Sequence, residues 1–165
     1  MTNSELSKLL EDNLSFSEAM KVIKRSKNSC DEQKAALQVR IAVISSGSIQ
    51  YFTKILTSVM LARGYECEIY ESDYDGINMD ILNRESPLYS FHPNFVVVIP
   101  HYVDVKEYPS LIGDEQDYNL TLSNAIAYQR NIFTCLSVIS GCHIFYGNYV
   151  VPFLRETGSY EVNTK

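Results

Sequence analysis

The chain has 165 residues and a formal net charge of −6, with 45% apolar and 21% charged residues. That length suits one domain with a core of its own, and the composition is ordinary for a soluble globular protein. The negative charge argues against a nucleic-acid partner, because contacts to phosphates need a basic surface. The apolar runs fall far short of the ~20 residues of a membrane span, so no membrane partner is expected either.

The start of the chain and its cysteines favour a cytoplasmic protein. The first residues, MTNSELSKLLEDN, are polar and include acids, which is not the pattern of a signal peptide. The cysteines are scattered and form no CxxC pair, whereas a zinc site needs clustered ligands. Cys67, Cys135 and Cys142 lie in apolar contexts, where a free cysteine usually packs as a small hydrophobe. We therefore expect a reduced protein with no metal site in this chain.

Residues 1–36 are predicted to form a helical extension in front of the main domain, residues 37–165. Ser15 and Ser17 are candidate N-caps for a helix whose apolar side includes Phe16. So short a helical segment cannot bury its apolar face alone. Packing on the main domain is the favoured interpretation, and docking to another protein is the alternative.

A strand, a polar turn and a helix open the main domain. Val39–Ile44 is short, branched and apolar apart from Arg40, which is typical of a strand covered on both faces in a parallel sheet. Ser45–Ser48 interrupts this run, and from Ile49 the apolar residues follow a helical period until Gly64. Ligands of α/β sheets bind at the carboxyl ends of the strands, so the Ser45–Ser48 turn is the first candidate site.

Three further strands are predicted along the chain. Tyr65–Glu71 alternates in polarity, which indicates a strand near a sheet edge. Phe95–Ile99 is a continuous apolar run, typical of a buried strand. His143–Tyr146 begins another strand after a long helix predicted over Leu120–Ile139. The acid-rich turn Ser72–Gly76 is interpreted as a solvated loop.

The remaining pattern fixes the fold class. Ile77–Leu82 is predicted to be a short helix, and Asn83–Pro93 a loop packed on the body of the domain. The resulting β-α-β-α-β-α-β order predicts a three-layer α/β fold with a mostly parallel sheet and right-handed crossovers. The last strand is followed by a short tail only, so we expect the front part of a longer protein.

Chemistry in this chain would depend on residues that follow the strands. The sequence has no GxxxxGK[ST], GxGxxG, HExxH or GxSxG motif. A serine of the first turn can act as a nucleophile if a base lies near and amide groups form an oxyanion hole. The candidate pair is Ser48 with His101, which follows the second core strand. Asn148, after the last strand, is a candidate helper.

Two other interpretations of the first turn stay open. Its serines would cap the helix that starts at Ile49 and satisfy the free amide groups there. Alternatively, the turn would bind an anion or another ligand, and the candidate ligand-binding residues are Ser45, Ser46, Gly47 and Asn148.

The segment from residue 39 to residue 161 resembles the front domain of FkbH-like proteins. The resemblance depends on the order and spacing of three features: the strand, polar turn and helix of the opening unit, a signature before the Val-rich strand, and a late stretch near the end. The residues that carry the last two features are Ser86, Leu88, Tyr89, Phe91, Pro93, Asn94, Asn148, Pro152, Gly158 and Glu161.

This resemblance implies an SGNH-hydrolase-like, flavodoxin-like α/β fold, followed in the family by a haloacid-dehalogenase-type (HAD) catalytic domain. Family members load a three-carbon glyceryl unit, taken from a glycolytic acyl phosphate, onto an acyl carrier protein in polyketide-type biosynthesis. The implied partner is the acyl carrier protein or the downstream HAD domain. No cofactor is expected in this chain, since the Mg²⁺-binding aspartates belong to the HAD domain.

The catalytic blocks of an SGNH hydrolase are degenerate here. Active members carry Gly-Asp-Ser, then Gly-x-Asn-Asp, and near the end Asp-x-x-His. The first block falls on Ser45–Ser48, where the nucleophile position is Gly47, or Ser48 after a shift of one residue. Pro100–Val103 lacks the Asn, and no Asp-x-x-His follows residue 140. We therefore expect a non-catalytic accessory domain. The alternatives are a small SGNH-type esterase and a protein-interaction module working through residues 1–36.

Overall fold

A sheet of four parallel strands forms the centre of the fold. The computed structural model describes residues 15–28, 37–101, 104 and 114–149. The strands are β1 (Leu37–Ser45), β2 (Tyr65–Glu71), β3 (Phe95–Ile99) and β4 (His143–Tyr146). Their order across the sheet is β2-β1-β3-β4, which matches the first four positions of the flavodoxin-like order. The predicted α/β fold, and the placement of β2 at an edge, are confirmed.

Helices cover the sheet on both sides and make three layers. They are α1 (Phe16–Asn28), α2 (Gln50–Ala62), α3 (Pro87–Phe91) and α4 (Glu115–Leu136), with a π-helical turn at Ile77–Ile81. The α2 side of the sheet carries one apolar cluster. The opposite side packs against the π-turn, α3 and the last turns of α4.

The central strand β1 is buried from both sides. Ile41 and Val43 face α2, whereas Ala42 and Ile44 face the other helical layer. All four are at most 5% exposed. This double burial explains why β1 is a continuous apolar run instead of an alternating one.

Helix α1 packs on α2, which is the intramolecular packing that the sequence favoured. Ser15 caps it: the Glu18 amide donates to Ser15 Oγ at 3.3 Å, and the Ser15 amide donates to Glu18 Oε2 at 3.0 Å. This is a capping box, so Ser15 and not Ser17 is the N-cap. The Phe16 and Tyr51 rings meet edge to face, 4.7 Å apart. The rest of the predicted extension lies outside the described residues.

The segment before β3 contains a short helix where a loop was predicted. Helix α3 starts with a proline directly after Ser86, a pair that favours a helix start because proline has no amide hydrogen to satisfy. Leu88 is fully buried, so the segment does pack on the body of the domain as expected. The helix ends at Phe91, and its C-cap, His92, has left-handed backbone angles, φ 49° and ψ 61°.

Replacing His92 by glycine should stabilise the protein by about 0.5–1 kcal/mol, because glycine adopts positive φ without a steric penalty. The His92 side chain is exposed, so its loss removes little packing. The matched control is Asp75→Gly, which is also at positive φ (60°). Asp75 accepts a hydrogen bond from Asn78 that this substitution removes, so Asp75→Gly should gain less stability than His92→Gly. Urea unfolding measures both; a loss of stability in His92→Gly would contradict the prediction.

Helix α4 starts earlier than predicted and exposes much of its apolar stripe. Its N-cap is Asp114, whose side chain accepts a hydrogen bond from the Asp117 amide, so these acids belong to a helix start and not to a loop. Ile132 and Leu136 are fully buried, whereas Leu122 and Ile126 are exposed. A 22-residue helix is about 33 Å long, roughly twice the length of the five-residue β3, so it outruns the sheet.

The cysteines within the described residues are free, as expected. Cys135 is buried, and Cys67 and Cys142 are half-buried. Burial raises the pKa of the Cys67 and Cys142 thiols, which lowers the thiolate fraction that reacts. Among the helices of the described residues, none is both long and apolar enough to cross a bilayer.

Candidate functional site

The carboxyl ends of the four strands bring together the turns that the sequence analysis singled out. Because the strands are parallel, the segments that follow them emerge at one edge of the sheet. These segments begin at Ser46, Ser72, Pro100 and Gly147. β2 is added on one side of β1, and β3 and β4 are added on the other side, so the strand order reverses between β1 and β3. Ligands of open α/β sheets bind at such a switch point.

Ser45 connects β1 to β3 and is used structurally. Its hydroxyl donates to the Ile99 carbonyl oxygen at 2.9 Å and accepts from the Gly47 amide at 3.2 Å. The side chain is 4% exposed. Its single proton is therefore already in a hydrogen bond with the backbone of the neighbouring strand.

The loop after β2 closes onto the same turn. The Ser45 amide donates to Ser72 Oγ at 3.0 Å, and the Ser72 hydroxyl donates back to the Ser45 carbonyl oxygen at 3.3 Å. Gly76 lies directly against Ser72, and a Cβ placed on Gly76 would overlap the Ser72 side chain. Ser72 and Gly76, the two ends of the acid-rich loop, are thus buried, although the composition of the loop predicted a solvated one.

No serine of the first turn caps α2, so the capping interpretation is wrong. The N-cap is Ile49, and it makes no side-chain capping bond. Ser48 lies one residue before this cap and is exposed. Ser46 is 5% exposed, and its hydroxyl has no hydrogen-bond partner among the described residues.

A carboxylate lies at the start of α2. Thr53 Oγ1, in the first turn of the helix, is 2.5 Å from Glu71 Oε1 at the end of β2. A negative charge there complements the positive end of the helix dipole. It would also repel a phosphate, which disfavours the anion-binding interpretation of this turn.

Asp104 stabilises the turn after β3. The His101 amide donates to Asp104 Oδ2 at 2.7 Å, and the Asp104 amide donates to the His101 carbonyl oxygen at 2.9 Å. The His101 side chain is exposed. Tyr102 and Val103, part of the degenerate middle block, lie outside the described residues. The pairing of Ser48 with His101 stays a prediction.

The turn after β4 approaches β3 closely. The Gly147 amide donates to the Val98 carbonyl oxygen at 2.8 Å, and a Cβ on Gly147 would lie 3.3 Å from that oxygen. Asn148 is exposed, and its Oδ1 accepts from the Tyr149 amide at 2.9 Å. The Asn148 amide group thus stabilises its own turn, and its ligand-binding role stays a prediction.

A network of tyrosine, asparagine and aspartate side chains occupies this edge, and sequence reasoning missed it. The Tyr128 hydroxyl donates to Asn78 Oδ1 at 2.9 Å, and Asn78 Nδ2 donates to Asp75 Oδ1 at 2.8 Å. The hydroxyls of Tyr146 and Tyr149 are 3.3 Å apart. The Asp-x-x-Asn spacing in a helical turn, together with 12 tyrosines in the chain, was the available signal.

Burial and neighbouring polar and acidic groups raise the pKa values of the tyrosines at this edge. Burial, then the charges of Asp104, Tyr149 and Asp75, raise the pKa of Tyr128 to about 12. Burial, then its hydrogen bond with Tyr149, raises the pKa of Tyr146 as well. A second group lies beside β2, where burial followed by the interaction with Asp80 raises the pKa of Tyr70 to about 12.

From the raised pKa values of Tyr70 and Tyr128 we expect the protein to lose stability in alkali. The unfolded chain releases the phenol protons near pH 10, but Tyr70 and Tyr128 hold theirs in the fold to about pH 12. The folded state therefore binds more protons over that interval, and its free energy of unfolding falls as pH rises from 10 toward 12.

Urea unfolding at several pH values measures this fall. Tyr128→Phe should show a smaller decrease above pH 10 than the parent chain, because one of the phenols responsible is gone. The matched control is Tyr51→Phe, whose side chain is 68% exposed and should leave the slope unchanged. Parallel slopes for Tyr128→Phe and the parent would contradict the assignment.

Within the described part of the chain, no three His, Cys, Asp or Glu side chains group closely enough to hold a metal ion. Glu71, Asp75 and Asp104 are spread over the end of β2, the loop after it and the turn after β3, and they accept hydrogen bonds from a threonine hydroxyl, an asparagine amide and a backbone amide.

Comparison with known proteins gives one family. Residues 40–159 match the family described as "FkbH, N-terminal domain". A crystal structure of the N-terminal part of the protein BF1531 from Bacteroides fragilis, containing a phosphatase domain complexed with Mg, superposes with a TM-score of 0.65 and 20% sequence identity. The match covers 90% of this chain and 37% of that one, so the chain spans well under half of its relative. No curated protein matches the chain.

Proposed function

The chain belongs to the FkbH N-terminal domain family, and from this we propose that it is the accessory domain of an enzyme that loads a glyceryl unit onto an acyl carrier protein in polyketide-type biosynthesis. We further propose that this SGNH-like domain is not itself the catalyst. The reaction belongs to a following HAD-type domain with its own Mg²⁺. The partner is that domain or the carrier protein.

The observation that carries this proposal is the structural use of the turn after β1. That turn is where an SGNH hydrolase would place its nucleophile. Here Ser45 donates to the Ile99 carbonyl oxygen, and Ser72 binds both the amide and the carbonyl group of Ser45. The turn thus ties three strands together, its nucleophile position in the closest register is Gly47, which has no hydroxyl, and the Ser45 hydroxyl donates to a carbonyl oxygen and not to a base.

Electrostatics support an accessory role over direct binding of the acyl phosphate. Glu71 lies at the start of α2, and Asp75 and Asp104 lie near Tyr128 at the edge of the sheet. Like charges repel, so an anionic donor is better held by another part of the enzyme. The domain would then position the carrier protein or stabilise the catalytic domain.

Loading of a carrier protein tests the proposal. The rest of the FkbH-type protein is assayed with an acyl-phosphate donor, Mg²⁺ and the holo carrier protein, and mass spectrometry follows the gain of a glyceryl group. Loading should be much slower without this domain, whether the domain is supplied on the same chain or separately. Equal loading in its absence would refute the accessory role.

The same assay separates an accessory from a catalytic domain. Ser48→Ala and His101→Ala should each change the loading rate by less than about twofold, because neither group takes part in the chemistry. Hydrolysis of a short p-nitrophenyl ester by the isolated chain tests the esterase alternative. Turnover that Ser48→Ala abolishes, with the fold intact by circular dichroism, would establish the esterase and refute the proposal.

A further inference from the structure

On the α2 side of the sheet, side chains become more exposed from β1 through β3 to β4. Val43, Val97 and Phe145 lie in one row across β1, β3 and β4. Val43 is fully buried, Val97 is half-buried and Phe145 is 56% exposed. The burial therefore declines steadily toward the outer strand on this side.

The next row shows the same decline and forms an aromatic surface. Ile41, Phe95 and His143 are aligned, and they are buried, half-buried and exposed in that order. The Phe95 ring stacks on the His143 ring at 5.6 Å and lies 6.1 Å from the Phe145 ring. We call Phe95, His143 and Phe145 the aromatic patch.

The cause is the placement of the helices. A helix is about 10 Å wide and neighbouring strands are about 4.8 Å apart, so one helix covers about two strands. On this side α2 covers β1 and β2. The described helical segments between β2 and β4 pack on the opposite side. Parallel sheets are normally covered on both faces. Among the described helices none covers β4 on this side, and β3 is covered only in part, since Phe95, Val97 and Ile99 pack against the α2 cluster but stay half-buried.

We propose that the aromatic patch is the docking surface for the part of the FkbH-type protein that follows this domain, which covers it with an apolar helix beside α2. This inference rests on the proposed function in one respect, that a further domain follows. The family is by its description an N-terminal domain, and 90% of this chain occupies only 37% of the related Bacteroides chain.

A second copy of the chain fits the patch less well. Three aromatic side chains, of which Phe95 is already half-buried, bury at most a few hundred Å², whereas a stable interface needs about 800 Å² per partner. A segment on the same polypeptide needs far less area, because its effective concentration is high. The small patch therefore favours an intramolecular occupant.

Cysteine labelling tests the proposal. Phe145→Cys is reacted with a maleimide in this chain alone and in this chain joined to the rest of the FkbH-type protein on one polypeptide, and peptide mass spectrometry distinguishes it from the native cysteines. We expect labelling to slow by about tenfold or more when the rest is present. The matched control is Met79→Cys, 64% exposed in the π-turn on the opposite side, which should label equally fast in both.

Hydrogen exchange on the unsubstituted protein gives an independent readout over His143–Tyr146, where protection should rise with the rest of the protein present. Equal labelling of Phe145→Cys in both states, or unchanged exchange, would overturn the docking surface. If the patch is protected but the enzyme loads no carrier protein, the proposed function is refuted and the docking surface is retained. If the enzyme loads the carrier protein but the patch is not protected, only the docking surface is refuted.

Discussion

Gly76→Ala should lower the free energy of unfolding by about 3 kcal/mol, because the added methyl group overpacks a site that has no room for it. The new Cβ would overlap the Ser72 side chain and lie 3.3 Å from the Ser45 carbonyl oxygen. Gly76 has φ −59°, so the cost comes from packing and not from backbone strain. The Ser45–Ser72 hydrogen bonds would have to lengthen to relieve the overlap.

Gly47→Ala is the matched control for this prediction. Its Cβ would meet nothing closer than Ser45 Oγ at 4.0 Å, so urea unfolding should show a change below about 0.5 kcal/mol. Adding Ser72→Gly to Gly76→Ala removes the overlapping atoms, and the double variant should lose less than the sum of the two single variants. An additive pair, or a neutral Gly76→Ala, would show that the loop is not packed as described.

Ser45→Ala should lower the free energy of unfolding by about 2 kcal/mol, because it removes the hydroxyl that pairs with two partly buried backbone groups. Those groups are the Ile99 carbonyl, which accepts from the hydroxyl at 2.9 Å, and the Gly47 amide, which donates to it at 3.2 Å. Urea unfolding of the isolated chain measures the change.

The adjacent residue gives the control for Ser45→Ala. Ser46 is equally buried, but its hydroxyl has no partner among the described residues, so Ser46→Ala should be neutral or stabilise the chain. Two adjacent serines of the same exposure should thus respond in opposite ways. If Ser46→Ala costs as much as Ser45→Ala, burial of a hydroxyl and not its bonding decides stability in this turn.

Local patterns were sufficient for the strands and for the helix that follows β1. β1 is buried on both faces from Ile41 to Ser45, and β3 is a continuous apolar run, so branched apolar residues mark both strands. Helix α2 ends just before Gly64, whose φ of 84° is strained for other residues. The bounds of α3 and α4 were missed, because Ser86 was interpreted as a loop residue and the long helix was predicted to start at Leu120, although Ser86 and Asp114 each lie at a helix N-cap.

The sequence by itself determined the α/β class, the parallel sheet and the family, because period, turn residues and motif order are properties of neighbouring residues. The tertiary structure decided the roles of the polar residues. Ser45 meets Ile99 and Ser72, and Tyr128 meets Asn78, across 27 to 54 positions of sequence. No local pattern encodes such pairs, since they exist only once the crossovers align the strand ends. For the same reason, the aromatic patch appeared only when the helices had been assigned to the two sides of the sheet.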